Sequence, residues 1–173
     1  MIHDQMMSTE PTLRRRAKEA YLTAEELKDG PFDSHEALLA RLQQVSQEVC
    51  SLSDEEIDNY IGRENPPRLA YFNRAQWELS VVDLSKCRVW ERMGRRPWAT
   101  GRVTAVAKIF SSEESKDSRI GTMLKFSDFF SSHLPIIAFI TGASQFDIHD
   151  GSHRAVAMVL AGRHSASAWI GCL

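Results

Sequence analysis

The sequence has few cysteines, no long apolar run and no segment that resembles a secretory leader. Cys50, Cys87 and Cys172 lack the CxxC spacing typical of zinc sites, and their odd number argues against a disulfide framework. No stretch approaches the ~18 to 20 apolar residues that a membrane-spanning helix needs. The N-terminus contains Asp4 and Glu10 and no apolar segment. These absences predict a cytoplasmic protein with reduced thiols.

A strong net charge is also absent. The formal net charge is −2 and the pI is about 6.3, so no global basic field would attract nucleic acid. Basic residues nevertheless concentrate in two stretches, which contain Arg92, Arg95, Arg96 and Arg102, and Arg14, Arg15, Arg16 and Lys18. We interpret Arg92, Arg95 and Arg96 as candidate DNA-binding residues that hold a phosphate backbone, with Trp98 available for base stacking. A solvated basic loop is the alternative.

The N-terminal part of the chain is predicted to be helical. Residues 11 to about 62 contain three pairs typical of helix caps, namely Thr23 with Glu26, Asp33 with Glu36, and Ser53 with Glu56. We expect Asn65-Pro66-Pro67 to end this part, because proline disfavours helical backbone in the residue before it. The predicted division is a helical N-terminal extension over 1–65 and a second unit over 66–173. The extension is interpreted as packing helices, with docking to a partner as the alternative.

The remainder of the chain predicts a sheet with helices. The predicted strands are Trp77–Leu84, Pro135–Ile140, Gln145–His149 and Ser165–Ile170. The segment Arg88-Val89-Trp90 is a further candidate strand. The segment 103–110 fits either a strand or a helix. A helix is predicted over His153–Ala161, with Gly162 as the residue that ends it. The order of strand, turn, strand, helix and strand indicates an α+β fold with a mixed sheet and flanking helices.

The turn Asp150-Gly151-Ser152-His153-Arg154 has the residue types of a phosphate site. Gly151 allows a sharp turn and a close backbone approach to a ligand. The helix that follows offers unpaired N–H groups and the positive end of its dipole, which favour an anion. Ser152, His153 and Arg154 add hydroxyl, imidazole and guanidinium donors. Each residue also has an ordinary role as an alternative: a helix cap for Ser152, packing for His153, a surface charge for Arg154 and a turn former for Asp150.

The segment Phe146–Ala157, followed by Ala161-Gly162, resembles the signature of the ParB/sulfiredoxin superfamily. Members have a Gly-x-His-Arg or Gly-Glu-Arg-Arg turn, then a helix, a glycine and a last strand. The segment Val82–Glu91 resembles, more weakly, the opening strand of that family. Ser152 replaces the reactive cysteine of sulfiredoxins, and the chain lacks the helix-turn-helix domain of chromosome-partitioning members, so neither of those activities is expected. The resemblance covers about residues 78–173.

Within this superfamily the chain is similar to plasmid-encoded fertility-inhibition proteins of the oncogenic-suppression (Osa) type. The resemblance implies an ATPase and DNase that blocks conjugative or T-DNA transfer through a type IV secretion system. Its implied partners are DNA and a coupling protein, relaxosome or T-DNA complex, and a secretion partner would place it at the inner membrane. The alternatives are a free amino acid kinase, as in the free-serine kinases of the superfamily, and a non-catalytic module that binds a secretion partner.

The same resemblance implies roles for individual residues. ATP is expected to bind through its phosphates to Gly151, Ser152, His153 and Arg154, with Mg²⁺ held by Asp150. Arg154 would offset charge on the transferred phosphoryl group, and Glu91 would act as the catalytic base, with a solvated surface glutamate as the alternative. A zinc site at His149 and His153 is not expected, because these residues straddle a turn.

Overall fold

A computed structural model of the protein describes residues 12–30, 32–89, 101–112 and 118–173. The helices in these ranges are α1 (Leu13–Leu27), α2 (His35–Ser51), α3 (Asp54–Glu64), α4 (Pro66–Arg74), α5 (Val103–Ser112), α6 (Ser118–Lys125), α7 (Ser127–His133) and α8 (Ser152–Leu160). The strands are β1 (Gln76–Asp83), β2 (Cys87–Val89), β3 (Gly101–Arg102), β4 (Ile136–Gly142), β5 (Gln145–Asp150) and β6 (Ser165–Cys172), and a 3₁₀ turn spans Leu84–Lys86. The predicted α+β class is confirmed.

The strands form one mixed sheet with the order β1-β6-β4-β5-β2-β3. β6 and β4 run parallel, as do β5 and β2, and the other neighbours are antiparallel. The predicted hairpin is confirmed: β4 and β5 are joined at Ala143 and Ser144, and Ser144 has a φ of 59°. Val89, the last described residue of β2, pairs with Ile148. β2 therefore ends at the same side of the sheet as β5.

Helices α5 to α8 cover one face of the sheet, where α5, α6 and α7 each contact α8. Successive side chains of a strand point to opposite faces, so Ala138 and Ile148 face these helices while their neighbours Phe139 and His149 face away. Both Ala138 and Ile148 are fully buried. The segment 103–110, which fits either strand or helix by sequence, is the helix α5. Buried apolar side chains on both layers form this half of the core.

Helices α1 and α4 cover part of the other face. The Tyr71 ring of α4 lies 5.3 Å from the ring of Phe139, and Phe72 stacks on Trp77 at 4.9 Å. The indole N–H of Trp77 donates to the carbonyl oxygen of Phe72 at 3.0 Å. One continuous cluster of buried residues includes side chains from α1 to α3 and from the sheet, so the N-terminal helices share the core of the sheet.

Helix α4 corrects the expectation that Asn65-Pro66-Pro67 ends the helical part. Asn65 ends α3 and starts α4, because its side chain accepts the Arg68 N–H at 3.0 Å. Pro66 occupies the first turn, where a missing N–H costs nothing. A proline that follows a capping residue therefore began a helix here.

The other caps give a mixed result. Ser53 and Glu56 form the predicted capping box. The prediction for Thr23 was wrong, because Thr23 lies buried within α1. The cap of α2 is Ser34 rather than Asp33, since the Ser34 hydroxyl accepts the Ala37 N–H at 3.1 Å. Among the described helices, none combines the length and apolar composition that a membrane-spanning helix requires.

Candidate functional site

The turn between β5 and α8 requires glycine at position 151. Gly151 has a φ of 91° and a ψ of 19°, a left-handed conformation that L side chains rarely adopt. A Cβ atom there would lie 2.7 Å from Nη2 of Arg154 and 2.8 Å from Cγ2 of Ile136. Both the conformation and the lack of space therefore exclude larger residues. The expected strand, glycine turn and helix are all present at this position.

The start of α8 has no side-chain cap. Gly151 is the N-cap residue, and it has no side chain that could accept a hydrogen bond from the first turn. The first bond of the helix runs from the Ala155 N–H to the Gly151 carbonyl oxygen at 2.8 Å. N–H groups of a first turn have no acceptor within the helix, and the helix dipole places partial positive charge beside them. Ser152 and His153 are half-buried at this end.

The Arg154 side chain lies inside the turn rather than at its surface. The residue is 4% exposed, and Nη2 donates to Oδ2 of Asp150 at 2.9 Å and to the Pro135 carbonyl oxygen at 3.4 Å. Its Nε atom is buried and has no hydrogen-bond partner among the described residues. Arg154 thus joins the end of β5 to the start of β4, and a phosphate would reach its guanidinium only if the pair with Asp150 opened.

Asp150 does not fit the role of a primary Mg²⁺ ligand. Its carboxylate is 16% exposed and is engaged by the Arg154 guanidinium, which places positive charge where the metal would bind. Within the described ranges, no cluster of three or more His, Cys, Asp or Glu side chains is arranged to hold a metal ion. Because the Asp150 carboxylate is paired with Arg154, we assign no step to a metal held by Asp150.

Arg68, which belongs to α4, forms hydrogen bonds with α1 and with the end of β5. Its Nη2 donates to the His149 carbonyl oxygen at 2.8 Å, and its Nη1 donates to the Tyr21 hydroxyl at 3.0 Å. The guanidinium also lies 5.0 Å from the centre of the Tyr21 ring. Burial raises the pKa of the Tyr21 phenol, although the Arg68 charge opposes this shift. The sequence interpretation missed Arg68. The only signal for it was Asn65-Pro66-Pro67, which can start a helix and would place Arg68 in its first turn.

His149 is a packed, neutral side chain. Its ring lies 4.5 Å from the Phe139 ring and 5.2 Å from the Tyr71 ring. Burial, together with the nearby Arg68 charge, lowers the pKa of His149 to about 4. A histidine with this pKa is uncharged at neutral pH and supplies no cation to a phosphate.

The remaining predicted site residues are Glu91, Arg92, Arg95 and Arg96, with Trp98 beside them, and they lie outside the described residues. The chain leaves the described part at Val89, and Val89 pairs with Ile148 two residues before Asp150. The proposed roles of these residues stay predictions.

In comparisons with known proteins, no family model matches the chain, and no match was found among curated proteins or solved structures. The resemblance to the ParB/sulfiredoxin superfamily therefore rests on the sequence motif alone.

Proposed function

We propose that the β5–α8 turn binds the phosphate groups of a nucleotide and that the protein hydrolyses ATP. The observation that carries this proposal is the left-handed Gly151 followed by a helix start without a side-chain cap. Backbone N–H groups and the helix dipole favour a phosphate at such a position, and the Ser152 hydroxyl adds a donor beside them. The pair of half-buried Asp150 and buried Arg154 then acts indirectly, by holding the turn in the conformation that presents these donors.

In this proposal a water molecule attacks the γ-phosphorus of MgATP, the bond to the bridging oxygen breaks, and ADP and inorganic phosphate are the products. Glu91, as the sequence motif implies, accepts the proton of the attacking water. The amides of the α8 first turn offset the negative charge on the phosphoryl oxygens. Arg154 contributes by positioning, and a direct contact with phosphate requires its release from Asp150.

The biological role in the proposal follows from the motif resemblance. The protein would be an ATP-hydrolysing and DNA-cleaving fertility-inhibition protein that blocks conjugative or T-DNA transfer through a type IV secretion system. A free amino acid kinase would use the same phosphate site, and a non-catalytic module would bind a secretion partner without turnover. Incubation with MgATP, supercoiled plasmid and free amino acids distinguishes the three. Phosphate release with nicking supports the proposal, whereas a phosphorylated amino acid or complete inertness contradicts it.

Ser152 offers a test of the phosphate site that does not depend on fold stability. An acidic residue in a first helical turn stabilises the helix through its dipole, but it repels a phosphate at the same place. We expect Ser152→Glu to raise the Kd for MgATP at least tenfold, and Ser152→Gln, the uncharged control of similar size, to change it less than threefold. Equal Kd values for wild type and Ser152→Glu, measured by isothermal titration calorimetry, would place the nucleotide elsewhere.

A further inference from the structure

A cleft with a volume of about 510 Å³ lies at the β2–β3 edge of the sheet, beside the β4–β5 turn. Its described lining consists of Lys86, Arg88, Gly101, Arg102, Ala143, Ser144 and Gln145. Three of these residues are cationic and none is acidic. All three cationic residues are exposed to solvent. The cleft therefore presents three positive charges on a chain whose formal net charge is negative.

These three cations have no ion pair with any carboxylate in the described part of the chain. Arginines elsewhere do pair, as Arg15 does with Glu19 and Asp54, and Arg163 does with Asp128. Asp147 is the neighbour of Arg88 across the β2–β5 pair, but it forms no ion pair with Arg88. The Oδ1 atom of Asp147 is buried and accepts no hydrogen bond from the described residues. No ion pair among the described residues therefore neutralises the cations of the cleft.

Arg88 and Arg102 also oppose each other directly in the antiparallel pair of β2 and β3. Like charges at facing positions of two strands are unfavourable. An anion bound between the two guanidinium groups would remove this repulsion. Lys86 lies two residues before Arg88, and Cys87 between them is buried on the other face. Lys86 ends the 3₁₀ turn and Cys87 has an extended backbone, so the Cα atoms of Lys86 and Arg88 are about 7 Å apart.

We propose that this cleft binds the phosphodiester backbone of a nucleic acid. Cations spread over two strands suit successive phosphates of a polymer better than a single phosphate group. The described lining has no aromatic side chain, so the contact is with the backbone rather than with stacked bases. This inference names a site for the DNA partner of the proposed function, but it rests on the charges of the cleft alone.

The cleft and the β5–α8 turn are separate sites. β5 begins at Gln145, which lines the cleft, and ends at Asp150, which precedes the turn. The five residue steps from Gln145 to Asp150 span about 17 Å, so a nucleotide at the turn leaves the cleft open. Substitutions in the cleft and substitutions in the turn can therefore test nucleic-acid binding and nucleotide binding separately.

The test is fluorescence anisotropy with labelled 20-mers of single-stranded and duplex DNA at low salt and without ATP. The cleft variant is Lys86→Ala/Arg88→Ala/Arg102→Ala. The control is Arg63→Ala/Arg74→Ala/Lys125→Ala, which removes the same charge from exposed positions outside the cleft. We expect the cleft variant to raise the Kd at least tenfold and the control to raise it less than threefold. The cleft variant also lowers the slope of log Kd against log salt by about 2 to 3, because each phosphate contact contributes about 0.7 to 0.9.

Three outcomes would overturn the inference. Equal weakening in the two triple variants would assign binding to overall charge, and an unchanged Kd in the cleft variant would place the nucleic acid elsewhere. Poly-glutamate that competes with DNA as well as unlabelled DNA does, at equal charge concentration, would assign the cleft to an acidic protein partner. Ser152→Glu is expected to retain DNA binding, so failure of the nucleotide site and failure of the cleft are distinguishable.

Discussion

The Asp150 carboxylate and the Arg154 guanidinium meet at 2.9 Å inside the turn that connects β5 with α8. The guanidinium fills the space that a side chain at Gly151 would need, since its Nη2 lies 2.7 Å from the position of a Cβ atom there. Asp150 and Arg154, which the sequence analysis treats as separate ligands, thus form one largely buried unit. This unit gives the turn its shape. It also holds in place the backbone N–H groups that are proposed to donate hydrogen bonds to a phosphate.

Substitution of the two left-handed glycines at the ends of α8 distinguishes the cost of backbone strain from the cost of side-chain crowding. Gly162 has a φ of 81° and open space around its Cβ position, whereas Gly151 is crowded as well. We expect Gly162→Ala to lower the free energy of unfolding by about 1 to 2 kcal/mol, the cost of a left-handed L residue. Gly151→Ala should cost more, because Arg154 and Ile136 must also move. Urea denaturation followed by circular dichroism measures both, and equal losses would show that crowding at Gly151 is relieved cheaply.

The ion pair itself is expected to be strongly coupled. Removal of one partner of a buried pair leaves an uncompensated charge and costs about 3 to 5 kcal/mol. Arg154→Ala and Asp150→Ala should each cause a large loss, and the double variant should lose much less than the sum of the two. The measurement is a double-mutant cycle of unfolding free energies. Additive losses would indicate that the two side chains act independently.

Arg68 is expected to couple the N-terminal helices to the turn. Arg68→Ala removes charged hydrogen bonds to the Tyr21 hydroxyl and the His149 carbonyl, which contribute about 1.5 to 3 kcal/mol each. We expect a lower unfolding free energy and weaker MgATP binding, because the end of β5 loses its anchor. The control is Arg63→Ala, whose side chain is 70% exposed. The proposed coupling would be wrong if MgATP binding were the same in Arg68→Ala as in wild type at temperatures where both are folded.

His149 gives the protein a defined pH dependence. Its pKa is lowered to about 4 in the folded protein and returns to about 6.5 on unfolding. The unfolded state therefore binds more protons, so stability falls as the pH decreases from about 6.5 toward 4. His149→Gln removes this contribution. The slope of the unfolding free energy against pH should then decrease by an amount that corresponds to at most one bound proton. Midpoints of urea denaturation between pH 4 and 7.5 test it, and parallel curves for both proteins would contradict it.

Local sequence was sufficient for most elements near the turn. The short apolar run before Gly142, the glycines at 151 and 162 and the strand from Ser165 each predicted the observed element, because glycine conformation and strand alternation are local properties. At the C-terminal end of α8, Gly162 and Arg163 donate to Val159 and Met158 at 2.9 Å, as a glycine-ended helix requires. Asn65-Pro66-Pro67 misled because the same residues end one helix and start another, and only the following packing distinguishes these outcomes.

The cleft shows a different limit of local reasoning. Lys86 and Arg88 are close in the sequence, but Arg102 follows in a later segment, and it reaches them only through the pairing of β2 with β3. Long-range strand pairing is set by the hydrophobic core rather than by the residues that line the edge. Clustering in the sequence grouped Arg102 with Arg92, Arg95 and Arg96, and it gave no reason to group Arg102 with Lys86 and Arg88.

The sequence alone determined the α+β class, the glycine turn and the helix with the phosphate-site signature, because backbone conformation and apolar periodicity are encoded in neighbouring residues. Only the tertiary structure decided that Arg154 lies inside the turn with Asp150, that Arg68 anchors β5, and that His149 is neutral. Burial and distance set these properties, and both arise from segments that are far apart in the chain.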